Sequence, residues 1–152
     1  IKDTVAPPIP IISLDTTGIL NGSHNSITYI NALRPTISVT WTADNADVIL
    51  DGTNIEIVQS TDNSSFTEIS NFTVATNSGS SSTPIHKCTF NTDLNVGTRY
   101  YYKIRLDAEN TNDSSSYRYS NYSSTIDFVC DTTFNSSFTL LAPTNTSQAE
   151  TD

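Results

Sequence analysis

The sequence predicts an all-β fold in two layers, and three observations lead to that prediction. Ser and Thr together number 45 of the 152 residues and Asn adds 15, a composition rich in strand-forming Thr and turn-forming Asn and Ser. Short segments alternate between apolar and polar residues with period two, and clusters of turn residues separate them. No segment shows the i, i+3, i+4, i+7 apolar spacing of an amphipathic helix. Several short strands divided by turns are typical of a β-sandwich.

Seven segments are predicted to form strands. They are residues 9–14, 36–42, 54–59, 66–76, 85–94, 99–106 and 122–129. Segment 99–106 alternates most clearly, because every second residue is apolar and cations occupy most of the positions between. Residues 15–34 are predicted to be a loop, since they contain several turn signals. We expect Trp41, Tyr100, Tyr102 and Ile104 to lie in one shared core.

The chain is predicted to have three parts. They are a Pro-rich linker with a first, edge-type strand in residues 1–14, the sandwich in residues 15–130, and a C-terminal extension in residues 131–152. In the extension, Phe134, Phe138 and Leu140 fall at even spacing, which predicts an added strand with one apolar face. Such a strand needs a partner, either the edge of its own sheet or a neighbouring subunit's sheet by strand addition. The first strand is a second candidate for the exchanged segment.

The segment from Leu94 to Tyr100 reads L-N-V-G-T-R-Y, which resembles the fibronectin type III signature L-x-P-G-T-x-Y with Val96 in place of Pro. This resemblance implies that Tyr100 forms a tyrosine corner, whose hydroxyl bonds to the backbone of the preceding turn. It also implies that Trp41 is the core Trp of the second strand. The N-terminal third, with D-T-V-A-P and T-A-D-N-A-D, resembles bacterial Ig-like repeats of large adhesins. Both resemblances imply a seven-stranded or larger Ig-like or fibronectin type III-like sandwich with extended terminal segments.

Charge and composition narrow the class of function. The net charge is -9 with only 7 Lys and Arg, which argues against nucleic acid as a partner because affinity there comes mainly from cations on phosphates. No apolar run approaches the roughly 20 residues of a membrane span, so we expect no membrane insertion. The chain contains no Met, so either a leader was removed or the chain is an excised piece. The composition favours the first and leads us to expect that the protein lies outside the cell or at its surface.

The chain is not expected to be an enzyme. Neither sandwich family has a shared active site, and the sequence has no G-x-S-x-G nucleophile motif. His24 and His86 are candidate acid–base groups, but each lies in or beside a polar loop without a nearby carboxylate in sequence. We therefore expect both to be solvated surface imidazoles.

Asp44, Asp47 and Asp51 form the candidate metal site. Three carboxylates on one loop are the ligand type that Ca²⁺ prefers. Their spacing is not that of an EF-hand loop, and a polar loop between two strands is the favoured interpretation. We expect no other cofactor.

Cys88 and Cys130 are the disulfide candidates. On the fibronectin type III resemblance they lie near opposite ends of the sandwich, whereas a disulfide needs Cα atoms within about 7 Å. An internal bond, an intersubunit bond and free thiols all remain open.

Two kinds of surface residue are further candidates for a functional role. Tyr101, Tyr117 and Tyr119 are the tyrosines expected to point outward, either as a sugar-binding surface or, as we favour, as cross-strand pairs. N-x-S/T sequons, which are acceptor sites for N-glycans, occur at Asn21, Asn63, Asn71, Asn112, Asn121, Asn135 and Asn145. Most fall in predicted loops or in the tail, so we expect several to be glycosylated if the source glycosylates its surface proteins.

Three functional hypotheses follow from the sequence. The first is an extracellular structural subunit or adhesion module, partnered by copies of itself or by other surface proteins, which polymerises into a filament or pilus-like fibre by strand exchange. The second is a virion component, such as a decoration or fibre domain of a phage. The third is a carbohydrate-binding or spacer module of a secreted hydrolase, with glycans as partners.

Overall fold

The computed structural model describes residues 6–42, 55–75, 78–80, 82–107 and 119–133. These residues contain ten strands: β1 (Ile11–Asp15), β2 (Asn21–His24), β3 (Ile27–Ile30), β4 (Thr36–Thr40), β5 (Ile55–Ser60), β6 (Thr67–Ile69), β7 (Phe72–Val74), β8 (Ile85–Phe90), β9 (Arg99–Leu106) and β10 (Ile126–Cys130). No helix occurs in the described ranges, so the all-β prediction is confirmed. The predicted added strand in the tail lies beyond Thr133, outside the described residues.

Two sheets form the fold. One has four strands in the order β1-β4-β8-β7, and the other has six in the order β2-β3-β10-β9-β5-β6. Neighbouring strands are antiparallel except β3 and β10, which are parallel. The sheets pack face to face, since the ring of Phe90 in the first lies 5.1 Å from the ring of Tyr102 in the second. As predicted, β1 is an edge strand.

Both sheets contribute to one apolar core. The four predicted core residues are all at most 4% exposed: Trp41, Tyr100, Tyr102 and Ile104. Tyr102 lies at the centre of an aromatic group, with ring centroids 6.3 Å from Tyr100 and 5.5 Å from Phe128. Its hydroxyl donates a hydrogen bond of 2.9 Å to Oε1 of Gln59, so the phenol group is satisfied inside the core.

The loop predicted over residues 15–34 is wrong, because a hairpin forms there. β2 and β3 are joined by Asn25 and Ser26, whose φ angles are 50° and 63°. A two-residue turn with positive φ at both positions matches the twist of the flanking strands. Ser is not a residue that signals such a turn, so the hairpin could not be predicted from the turn pattern. β3 then pairs with β10 and extends the second sheet.

The strand predicted over residues 66–76 is two strands in different sheets. β6 pairs with β5 in the six-stranded sheet, whereas β7 pairs with β8 in the four-stranded sheet. The chain therefore crosses from one sheet to the other at residues 70–71. An extended segment carries the same side-chain alternation in either sheet, so its pattern does not reveal the crossing.

The last predicted strand, 122–129, corresponds to β10, which begins only at Ile126 and ends at Cys130. Before β10, two serine hydroxyls contact β9 instead of a regular strand. The amide of Ile104 donates to Oγ of Ser123 at 3.1 Å, and the amide of Leu106 donates to Oγ of Ser120 at 2.9 Å. Both serines are buried. Their hydroxyls take the place that carbonyl oxygens have in a regular ladder, which keeps the end of β9 fully hydrogen-bonded.

The bond predicted for Tyr100 is present. The backbone amide of Asn95 donates to the Tyr100 hydroxyl oxygen at 3.0 Å. Between them Gly97 has a φ of 78°, a left-handed conformation that favours Gly because any side chain there is strained. This turn holds the start of β9 against the end of β10, since the Gly97 amide donates to the carbonyl oxygen of Cys130 at 2.8 Å.

Replacing Tyr100 by Phe is expected to lower the free energy of unfolding by about 1 kcal/mol, because the Asn95 amide loses its acceptor while the ring stays in the core. Urea denaturation measures this change. Tyr101→Phe is the matched control on the outer face of the same strand, with an expected change within about 0.5 kcal/mol. Equal losses in the two variants would contradict a role for the Tyr100 bond.

Candidate functional site

The outer surface of the six-stranded sheet carries stacked cations and aromatic rings. β9 supplies Arg99, Tyr101 and Arg105, which alternate with its buried residues, and the segment before β10 supplies Tyr119 and Tyr122. We call these five residues the Arg–Tyr face. All of them are partly exposed, so this face is the part of the sheet that a partner would meet.

Arg105 occupies the centre of the strongest cluster on the Arg–Tyr face. Its Nε and Nη2 atoms donate to the two carboxylate oxygens of Glu56 at 2.8 and 2.9 Å. Its guanidinium also lies 3.9 Å from the ring centroid of Tyr119 and 4.9 Å from that of Tyr122. The paired carboxylate and the two rings restrict the guanidinium to one position, because only there does it make all of these contacts.

Tyr122 contacts both members of the ion pair in this cluster. Its hydroxyl donates to Oε1 of Glu56 at 2.6 Å. Burial, followed by the hydrogen bond to Glu56, raises the pKa of Tyr122 to about 12. The phenol therefore stays protonated and remains a donor at any physiological pH.

Other rings of the same sheet also carry a cation. The guanidinium of Arg99 lies 5.1 Å from the ring centroid of Tyr101 and binds Asp127 at 2.7 Å, and Lys103 lies 4.3 Å from the ring centroid of Phe66. A ring that already holds a cation on one face has less surface left for stacking on a sugar. The contact of Tyr119 with Arg105 agrees with the favoured cross-strand interpretation, whereas Tyr101 contacts Arg99 of its own strand. Tyr117 lies outside the described residues.

The two histidines differ, and the prediction for His86 is wrong. His24 is exposed in β2, as expected. His86 is only 4% exposed, and its ring stacks on Trp41 with centroids 5.3 Å apart. β8 begins at Ile85, so the period of two places His86 on the same inward face as Cys88. Its Nε2 atom is buried and has no hydrogen-bond partner among the described residues.

Replacing His86 by Phe is expected to change the free energy of unfolding by less than about 1 kcal/mol, because removal of the unpaired Nε2 offsets loss of the 3.4 Å contact between Nδ1 and the Ala75 carbonyl oxygen. The stacking on Trp41 is kept. His86→Ala removes the ring as well and is expected to cost about 2–3 kcal/mol. Thermal and urea unfolding of both variants measure the difference. A loss above about 1.5 kcal/mol in His86→Phe would contradict this balance and show that the polar ring contributes net stability.

Both cysteines are free and fully buried in this structure. Cys88 belongs to the four-stranded sheet and Cys130 ends β10 in the six-stranded sheet. Burial raises the pKa of Cys88 to about 12 and that of Cys130 to about 11. Since the thiolate is the form that attacks and forms disulfides, burial lowers the reactivity of both thiols in the folded chain. An intersubunit bond would require a local opening of the core.

Four of the seven predicted glycosylation sites are described. Asn21, Asn63 and Asn121 are exposed, whereas Asn71 is half-buried. The side-chain amide of Asn71 donates to Oγ1 of Thr92, so a glycan on that nitrogen would compete with this contact. The three exposed asparagines are therefore the better acceptors. The sites at Asn112, Asn135 and Asn145 lie outside the described residues.

The candidate calcium ligands Asp44, Asp47 and Asp51 also lie outside the described residues. Within the part of the chain that is described, no group of three or more His, Cys, Asp or Glu is arranged to hold a metal ion. The described ranges likewise include no helix that could span a bilayer.

The chain is thus an all-β, two-sheet protein whose larger sheet carries an outer layer of paired cations and rings. Comparison with known families, curated proteins and solved structures finds no match to it. The order of the strands and the surface chemistry are therefore the basis for an inference about function.

Proposed function

We propose that the chain is an Ig-like β-sandwich module that acts outside the cell as a non-catalytic structural subunit or adhesion module. The observation that carries this proposal is the strand order. β1-β4-β8-β7 corresponds to the A-B-E-D sheet of an Ig-like domain, and β5-β9-β10 corresponds to its C-F-G sheet. The bond between Tyr100 and the Asn95 backbone lies at the start of β9, where strand F carries the tyrosine corner.

The surface supports a structural role over sugar binding. On the Arg–Tyr face the rings of Tyr101 and Tyr119 each stack with a guanidinium, and Glu56 and Asp127 pair with those guanidiniums. Such a surface stiffens the sheet, because these ion pairs and cation–ring contacts restrict the motion of the side chains. The acidic, Ser/Thr-rich composition and the exposed sequons agree with an extracellular location.

Negative-stain electron microscopy and sedimentation velocity of the purified 152-residue chain test the structural role. Fibres or other regular assemblies that grow with concentration are the expected result. A chain that stays monomeric up to about 100 μM would exclude the structural subunit and leave the adhesion module. Binding to a glycan array that is lost in Tyr101→Ala would favour the carbohydrate-binding hypothesis instead.

A further inference from the structure

Two exposed isoleucines lie next to each other on the edge of the four-stranded sheet. Ile9 precedes β1 and Ile11 begins it, and they are 53% and 69% exposed, whereas the residues that alternate with them are buried. Ile11 pairs with Thr40 of β4, and Thr40 pairs with Ile85 of β8, which is 37% exposed. We call Ile9 and Ile11 the isoleucine patch.

The isoleucine patch lies on a strand that can accept another. Among the described strands, β1 pairs only with β4, so its other side points away from the sheet. Edge strands usually carry charges that prevent pairing with other chains, but residues 9–14 contain none, and Asp15 at the end of β1 is paired with Lys87. An apolar edge strand of this kind is suited to strand addition.

The C-terminal segment leaves the sandwich at the opposite end. β8 begins level with the isoleucine patch, one strand beyond β4, and ends at Phe90. A six-residue strand spans roughly 20 Å. The turn that follows β8 contains Gly97, whose amide binds the carbonyl oxygen of Cys130 at the end of β10. The chain therefore passes Cys130 at the far end of β8 from the isoleucine patch.

The segment beyond Thr133 fits the isoleucine patch chemically. It has 19 residues, in which Phe134, Phe138 and Leu140 fall at even spacing and no charge occurs before Glu150. An uncharged strand approaches a copy of net charge -9 without adding to the repulsion between copies. Phe138 and Leu140 are two residues apart, as Ile9 and Ile11 are, so all four side chains match in register on neighbouring strands.

We propose that residues 134–141 of one copy add as a strand to β1 of the next copy, with Phe138 and Leu140 beside the isoleucine patch. Because Cys130, after which the donor segment follows, lies at the opposite end of the sandwich from the isoleucine patch, each copy is expected to donate at one end and accept at the other. Such a head-to-tail contact builds a fibre when the rotation between copies does not close a ring. This inference rests on the proposed structural role and names the surface that carries it.

Two variants test the docking, one on each side of the contact. Ile11→Lys changes the acceptor at a position that is 69% exposed, so the fold is expected to persist with an unchanged melting temperature. Phe138→Lys changes the donor. Each is expected to raise the concentration of half-assembly at least about tenfold in sedimentation velocity. Thr67→Lys, on the exposed edge strand β6, adds the same charge and is expected to assemble normally.

Mixing the two variants identifies the donor copy. The Ile11→Lys chain keeps an intact tail and the Phe138→Lys chain keeps an intact patch, so the mixture is expected to form one-to-one dimers that neither variant forms alone. If the wild type assembles and both variants assemble equally well, the docking is wrong while the structural role stands. A wild type that stays monomeric, including one whose tail covers its own β1, overturns both the docking and the structural role and leaves only the adhesion module.

Discussion

Replacing Tyr102 by Ala is expected to lower the free energy of unfolding by about 3–5 kcal/mol, the largest loss of any single change considered. The ring is fully buried and lies within 6.3 Å, between centroids, of Phe90, Tyr100 and Phe128. Its removal leaves a cavity at the point where the two sheets meet. Since domains are stable by only about 5–15 kcal/mol in total, the variant is expected to unfold near ambient temperature.

Tyr102→Phe distinguishes the contribution of the ring to stability from that of its hydroxyl. The variant keeps the packing but removes the bond to Oε1 of Gln59, so we expect a loss of about 1–2 kcal/mol. Urea denaturation of the wild type and both variants measures the two losses. If Tyr102→Ala costs no more than Tyr102→Phe, the aromatic group is not the centre of the core.

Replacing Arg105 by Ala is expected to cost about 2–3 kcal/mol, which is large for a residue at the surface. The change removes both hydrogen bonds to Glu56 and the stacking on Tyr119 and Tyr122. It also leaves the Glu56 carboxylate, whose side chain is 14% exposed, without its cation. Urea denaturation at low and high salt measures the loss.

Two further variants assign that loss to its cause. Arg105→Lys keeps the charge but not the planar fork, and we expect at least half of the loss to remain. In Arg105→Ala with Glu56→Gln, the unpaired charge is gone, so the double variant is expected to cost less than the sum of the two single changes. Additive costs would show that the pair does not act as a unit.

The outward direction of the Arg–Tyr face could be predicted, but its contacts could not. The alternation within residues 99–106 placed Arg105 outside and Tyr102 inside, since that pattern is local to the strand. Glu56 and Tyr122 lie 49 and 17 positions away along the chain, and their pairing with Arg105 depends on which strands become neighbours. No local pattern in the sequence indicates these pairings.

The inward position of His86 is indicated by the period-two pattern of its strand. Counting back by two from Phe90 and Cys88 reaches His86, which predicts an inward side chain. The polar residues before it led instead to a surface interpretation. The start of a strand is the least certain part of such a pattern, and a shift of one residue reverses the face of every side chain.

The sequence by itself determined the all-β class and the inward residues of β4 and β9, because side-chain alternation is a property of the extended backbone and needs no knowledge of neighbours. The tertiary structure decided which sheet β6 and β7 join, the parallel pairing of β3 with β10, and the use of Ser120 and Ser123 hydroxyls in place of carbonyls. Each of these depends on hydrogen-bond partners that are distant along the chain. A backbone amide can donate to many acceptors equally well, so only the packed sheets select one.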